Sequence, residues 1–137
     1  MPAPGEAVLR IGAELAGLSR LYPWLEAEIG LLPQAIRHAM HVALEEAVTN
    51  VALHAFPTGE GGAITIQLHL SAGVAVLVVE DAGRPFDQAS APAAKPSASS
   101  DVPGGHGLAL LRHYCRDASY QRIGDENRLT LRFSYPP

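Results

Sequence analysis

Glu46, Asn50 and His54 stand four residues apart in the run Glu46-Ala-Val-Thr-Asn50-Val-Ala-Leu-His54. Residues at i, i+4 and i+8 fall on nearly one face of a helix. A carboxylate, a carboxamide and an imidazole therefore share a face within an otherwise apolar pattern. An amide oxygen is a hard ligand suited to Mg2+, which keeps most of its waters and takes few protein ligands. A carboxylate one turn earlier can take a proton from a hydroxyl or a water. Asn50 is thus a candidate metal ligand, and Glu46 either a candidate general base or the partner of a metal-bound water. Taken alone, Glu45, Glu46 and Asn50 read more simply as a solvated helix face, with His54 capping a helix end.

Two further runs carry chemistry of their own. In Glu80-Asp81-Ala-Gly83-Arg-Pro-Phe-Asp87 an acid follows a valine-rich strand, at the rim where ligand sites tend to form. An ionised Asp81 can accept a hydrogen bond from an exocyclic amine such as that of adenine, and Gly83 lets a backbone approach the base edge. In Pro103-Gly-Gly105-His106-Gly107-Leu108 glycines open a helix after a long loop. Backbone N–H groups and the helix dipole there make a phosphate cradle. The Gly-x-x-x-x-Gly-Lys P-loop is absent. Alone, the first run is a turn and the second a linker.

The elements that would position these residues follow from periodicity. Residues 7–15 alternate weakly and form a candidate first strand. Leu18 to Leu32 reads as a helix with Leu18, Leu21, Leu25 and Ile29 at helical spacing and Pro23 in its first turn. Pro33 opens a second helix that runs to about Ala55, with Ile36, Met40, Ala43, Ala47 and Leu53 as its apolar contacts. The period then changes to two. Ala63 to Leu70 and Val74 to Asp81 form a hairpin around Ser71-Ala72-Gly73, the second strand being central. A loop without periodicity spans Gly83 to about Gly104. A helix from about Gly105 to Arg116 and two closing strands, around Gly124-Asp-Glu-Asn, complete the chain. The sum is a single domain over residues 1–137, an α/β two-layer sandwich with helices on one face of a mostly antiparallel mixed sheet.

Composition limits the function classes. The chain has 137 residues, 47% of them hydrophobic and 18% charged, which is the balance of a globular protein. A formal charge of −4 argues against a nucleic-acid partner. No apolar run is long enough for a membrane span, and the N-terminus lacks a signal-peptide pattern. Cys115 is the single cysteine and reads as buried packing, so an intracellular, reducing compartment is expected.

Taken in order, these elements resemble the GHKL ATP-binding superfamily over roughly residues 34–135. Glu46 and Asn50 match its N-box, Asp81 and Gly83 its first glycine box, and Gly105, Gly107 and Leu108 its second. Within that group the chain is most similar to the stand-alone anti-sigma-factor serine kinases of bacteria. The resemblance implies a Bergerat fold that binds ATP with Mg2+ held through Asn50. It implies Glu46 as general base and Asp81 as the partner of the adenine amine. Gly105, His106, Gly107 and Leu108 would hold the phosphates beneath a lid. Thr130, by approximate alignment, is the candidate for the threonine at the adenine edge. The implied partners are a sigma factor and an anti-sigma-factor antagonist of STAS type, with the chain as a cytoplasmic homodimer. Lys95 is the one cation between Asp87 and Pro103. Phosphoryl transfer needs positive charge near the phosphates. A non-catalytic nucleotide-binding module acting by sequestration is therefore the second reading.

Overall fold

The computed structural model describes residues 5–56, 62–89, 111 and 113–136. Strand β1 (Glu6–Gly12) leads into a short helix α1 (Leu15–Leu18), then α2 (Leu21–Ile29) and α3 (Gln34–Asn50). Helix α3 continues directly into a π-helical turn (Val51–Ala55). Strands β2 (Ala63–Ser71), β3 (Val74–Asp81), β4 (Asp117–Ile123) and β5 (Glu126–Ser134) follow. They form one sheet in the order β1-β2-β3-β5-β4, with every neighbouring pair antiparallel. The expected two-layer α/β sandwich is the observed one.

Strand alternation explains why the helices cover one face. Ala7, Leu9 and Ile11 of β1, Ile64, Ile66 and Leu68 of β2, and Leu129, Leu131 and Phe133 of β5 are all buried. Strand β3 is central, and its valine-rich run nevertheless alternates. Ala75, Leu77, Val79 and Asp81 are buried, while Val74, Val76 and Val78 are only half-buried on the opposite face. Asp81 therefore belongs to the helix-covered side. The β2–β3 turn uses Gly73 at φ 81°, and the β4–β5 turn uses Gly124 at φ 59°, both in the left-handed region that glycine enters without steric cost.

Helix α2 buries Leu21, Leu25 and Ile29, spaced i, i+4, i+8. Each fully buried side chain of this size contributes about 1.5–3 kcal/mol. Pro23 sits in the first turn, where no intrahelical N–H bond is lost. Helix α3 starts directly after Pro33 and turns Ala39, Met40, Ala43, Leu44, Ala47 and Val48 inward. Leu53, expected in that core, is 49% exposed. The wider π-helical turn rotates the chain after Asn50, so Val51 and Ala55 turn inward and Leu53 outward. Glu26 brackets α2 to α3, accepting from Arg37 at 2.8 Å and meeting His41 Nε2 at 2.6 Å. These partners hold its carboxyl below the usual range, His41 most strongly. His41 thus ties α3 to α2 through Glu26.

Of the helix expected from Gly105 to Arg116, Leu111, His113 and Tyr114 are described and helical. Leu111 and Cys115 are buried as expected. Burial pushes the Cys115 thiol up to about 12, which leaves it protonated and inert at neutral pH.

Candidate functional site

Asn50 closes helix α3 on the inner side and is 2% exposed. Its Nδ2 donates to Gln88 Oε1 at 3.2 Å. Gln88, itself buried, donates from Nε2 to the Ala47 carbonyl at 3.2 Å. Because Nε2 is committed to a carbonyl, Oε1 must face Asn50, and only an N–H can satisfy it. That fixes the Asn50 amide with Oδ1 on the other side. Oδ1 is buried and has no hydrogen-bond partner among the described residues. A stranded buried acceptor costs about 1–3 kcal/mol, so an atom of this kind invites an explanation. Glu46 lies one turn earlier on α3, half-buried.

At the other end, Asp81 terminates β3 and is 3% exposed. Its Oδ1 accepts from the Gly83 N–H at 2.9 Å and from Asn127 Nδ2 at 2.9 Å. Burial raises its carboxyl above the ordinary range. The bonds from Asn127 and Gly83 and the Arg122 charge oppose that rise. Asn127 is Asp81's register partner on β5 and is likewise buried. Its Oδ1 accepts from Phe86 N–H, Tyr120 Oη and Arg122 Nη1. Its Nδ2 also donates to the Arg84 carbonyl at 2.8 Å.

Residues 83–89 join the two ends by crossing the C-terminal end of α3. The Arg84 N–H donates to the Ala55 carbonyl at 3.0 Å, and Arg84 Nε donates to the His54 carbonyl at 2.7 Å. His54 packs its ring on Phe86 at 4.9 Å, which gives it a structural place. A Cβ added at Gly83 would lie 2.5 Å from the Ala55 carbonyl oxygen. The glycine is therefore required by close approach to the helix end. The segment finishes with Gln88 on Asn50, so one stretch of chain fixes both Asp81 and Asn50.

Thr130 does not join this group. It pairs with Val78, and strand alternation puts it on the sheet face opposite Asp81. Asn127 occupies the position beside the acid. Gly105, His106, Gly107 and Leu108 lie outside the described residues, as does Lys95. Gln88 and Asn127 are the site residues that sequence reasoning missed. Asn127 stands in Gly-Asp-Glu-Asn, which reads as a turn, although β5 already begins at Glu126. Gln88 sits in a polar stretch that carries no periodicity to mark it.

This arrangement can hold a hard cation through Asn50 Oδ1. No cluster of three or more His, Cys, Asp or Glu residues with metal-binding geometry occurs among the described residues. A single amide ligand beside a carboxylate suits Mg2+, which retains most of its waters, better than a metal that needs a full protein cage. A cavity of about 400 Å³ lies on the other flank of α3, lined by Leu21, Tyr22, His41 and Glu45 among others. It contains neither Asn50 nor Asp81 and is not this site.

Residues 12–133 match the model of the histidine kinase-like ATPase domain. The serine/threonine-protein kinase BtrW of Bordetella bronchiseptica is 37% identical over 98 residues, covering 70% of this chain and 69% of that protein. Among solved structures, the RsbU and RsbW domains of Rv1364c from Mycobacterium tuberculosis superpose with TM-score 0.70 at 17% identity. That match covers 97% of this chain and 33% of the longer one. The histidine kinase domain of a blue-light activated kinase from Erythrobacter litoralis gives TM-score 0.58 at 16% identity, covering 87% of this chain and 59% of that one. At those identities the two structures speak for the fold. No helix among the described residues is long and apolar enough to cross a membrane.

Proposed function

The chain belongs to the histidine kinase-like ATPase domain family, and we propose that it is an ATP-dependent protein serine kinase of the anti-sigma-factor type. It transfers the γ-phosphate of ATP to a serine of a STAS-type antagonist protein and sequesters a sigma factor. It does so in the cytoplasm as a homodimer. The observation that carries this reading is the buried Oδ1 of Asn50, which has no partner among the described residues. It stands one turn from a carboxylate and is linked through residues 83–89 to a buried acid. The kinase name of a relative 37% identical supports the reaction class.

In this mechanism Asp81 accepts a hydrogen bond from the adenine amine and sets the nucleotide's direction. Asn50 Oδ1 would hold Mg2+, which offsets charge on the phosphate oxygens when bound. Glu46 accepts the proton of the serine hydroxyl as its oxygen forms the new bond to the γ-phosphorus. The bond from that phosphorus to the β–γ bridging oxygen breaks, and ADP leaves with the electron pair. Gly105, His106, Gly107 and Leu108 are assigned to the phosphates.

The test is incubation with radiolabelled ATP and candidate antagonist proteins. The parent should give a phosphoserine product, and Glu46→Gln should lower the rate by about 10²–10⁴-fold. A variant that phosphorylates as fast as the parent removes Glu46 from its role. A parent that binds ATP yet gives no phosphoprotein is the sequestration module, a reading motivated by Lys95 being the one cation between Asp87 and Pro103.

A further inference from the structure

We propose that Asn127 is a positioning residue that fixes the donor–acceptor sense of position 81, and so decides which purine edge the site accepts. The proposal deepens the adenine-nucleotide reading above and rests on it. Its starting point is the orientation of the Asn127 amide. Three donors converge on Oδ1, namely Phe86 N–H, Tyr120 Oη and Arg122 Nη1. Two acceptors face Nδ2, namely Asp81 Oδ1 and the Arg84 carbonyl oxygen. Flipping the amide would set N–H against donors and oxygen against acceptors, losing every one of these bonds. Arg122 is held in turn by the Gly83 carbonyl at 2.8 Å.

The fixed amide imposes a sense on its neighbour. Asn127 Nδ2 and the Gly83 N–H both aim at one oxygen of position 81. Whatever acid or amide stands there must present an acceptor to that pair. Its remaining atom faces the ligand. In the parent that atom is a carboxylate oxygen, an acceptor, which matches the 6-amino group of adenine and opposes a 6-keto oxygen. In Asp81→Asn the bracket would claim the amide oxygen and leave the NH₂ for the ligand. The site would then donate, and a 6-keto purine such as hypoxanthine becomes the matched base. Asn127 is 4% exposed and acts through Asp81 rather than by touching the base.

The experiment is calorimetric titration of the folded full chain with Mg-ATP and with Mg-inosine triphosphate. It uses the parent, Asp81→Asn, Asn127→Ala and the double variant, with folding checked by circular dichroism. The parent should prefer ATP by on the order of tenfold or more, because a mismatched buried hydrogen bond leaves a polar group unpaired. Asp81→Asn, which leaves the bracket intact, should reverse the order. Asn127→Ala should leave the parent's preference for ATP in place, because both oxygens of an ionised carboxylate accept, and the double variant should lose the reversal and bind both nucleotides alike. If Asp81→Asn still prefers ATP, or if the reversal survives loss of Asn127, the positioning role is overturned. Should Asn127→Ala fail to fold, Asn127→Ser in the Asp81→Asn background takes its place, and a reversal that survives there overturns the positioning role. A parent that binds neither nucleotide defeats the adenine reading itself, which is a different result.

Discussion

At the Asp81 end of the site, both Nδ2 protons of Asn127 are used and its oxygen accepts from three donors. At the Asn50 end, the amide has a partner on Nδ2 and none on Oδ1 among the described residues. Both ends are buried to a similar degree, so exposure does not account for the difference. Fully satisfied buried networks rigidify and specify one geometry. A buried acceptor left short is a cost that a bound cation would remove. The contrast assigns the two ends different tasks. On the proposed reading, the Asp81 end is decided before any ligand arrives, and the Asn50 end is completed by one.

The largest expected effect comes from breaking both ends together. Gly83→Ala places a methyl 2.5 Å from the Ala55 carbonyl oxygen and 2.8 Å from the Ala55 Cβ, and backbone cannot swing aside as a side-chain tip can. Residues 83–89 would have to lift off the end of α3, taking Gln88 from Asn50 and Gly83 from Asp81. A loss of about 3 kcal/mol in stability is expected, from overpacking of this kind. Urea denaturation measures it, and nucleotide-induced stabilisation should vanish in the same protein. A fold as stable as the parent's would show that the two ends are not joined through this segment.

Next in size is Asn50→Ala, which separates the ends. Loss of a charge-assisted contact should weaken Mg-nucleotide binding by about 2 kcal/mol. The free protein should change by no more than about 1 kcal/mol, because stranding the Gln88 oxygen is offset by removing the stranded Asn50 Oδ1. Thermal-shift titration with and without Mg-ATP gives both quantities, since a ligand that binds only the folded state raises its apparent stability. Equal losses in both would mean that Oδ1 serves the fold and not a ligand.

A smaller effect, with a definite sign, is expected at the base end. Burial raises the Asp81 carboxyl, so the folded protein binds that proton more tightly than the unfolded chain does. The stability this group contributes is full below the ordinary carboxylate range and is lost as pH rises through the raised folded value. At neutral pH the ionised group is therefore a penalty. Asp81→Asn keeps an acceptor for Asn127 and Gly83 and removes the charge. It should be at least as stable as the parent at pH 7, with the advantage shrinking toward pH 4. Parallel pH profiles from chemical denaturation would contradict this.

At each end of the site the leading residue was legible in the sequence and its partner was not. Asn50 and Glu46 announce themselves because polar residues at helical spacing interrupt an apolar pattern. Asp81 does so because it follows a valine strand. The hairpin at Gly73 and the central place of β3 follow from period-two alternation and turn chemistry. The sheet partners of these residues do not show in the sequence. Which β5 residue meets Asp81 depends on strand register, and register depends on where the β4–β5 turn ends. A turn taken as Gly124-Asp-Glu-Asn hides Asn127, while Thr130 rests on approximate alignment alone, and a shift of three positions moves a side chain to the other face. Leu53 shows the same limit, since a π-helical turn after Asn50 has no signature in residue types. Gln88 is found by neither period nor motif, because its role exists only once the chain has folded back over α3.

The smallest expected effect tests whether the base end is as over-determined as its bonds imply. Tyr120→Phe removes one of three donors to Asn127 Oδ1 and leaves Phe86 N–H and Arg122 in place. The Asn127 amide would then keep its orientation, and Asp81 would keep both donors on Oδ1. A net loss of about 0.5–1 kcal/mol in stability is expected, the ordinary contribution of one hydrogen bond. The preference for ATP over inosine triphosphate should stay within about twofold of the parent's, since the sense of position 81 is unchanged. A collapse of that preference in Tyr120→Phe would mean that the bracket depends on a single bond, and that the two ends differ less in their preparation for ligand than their hydrogen bonds indicate.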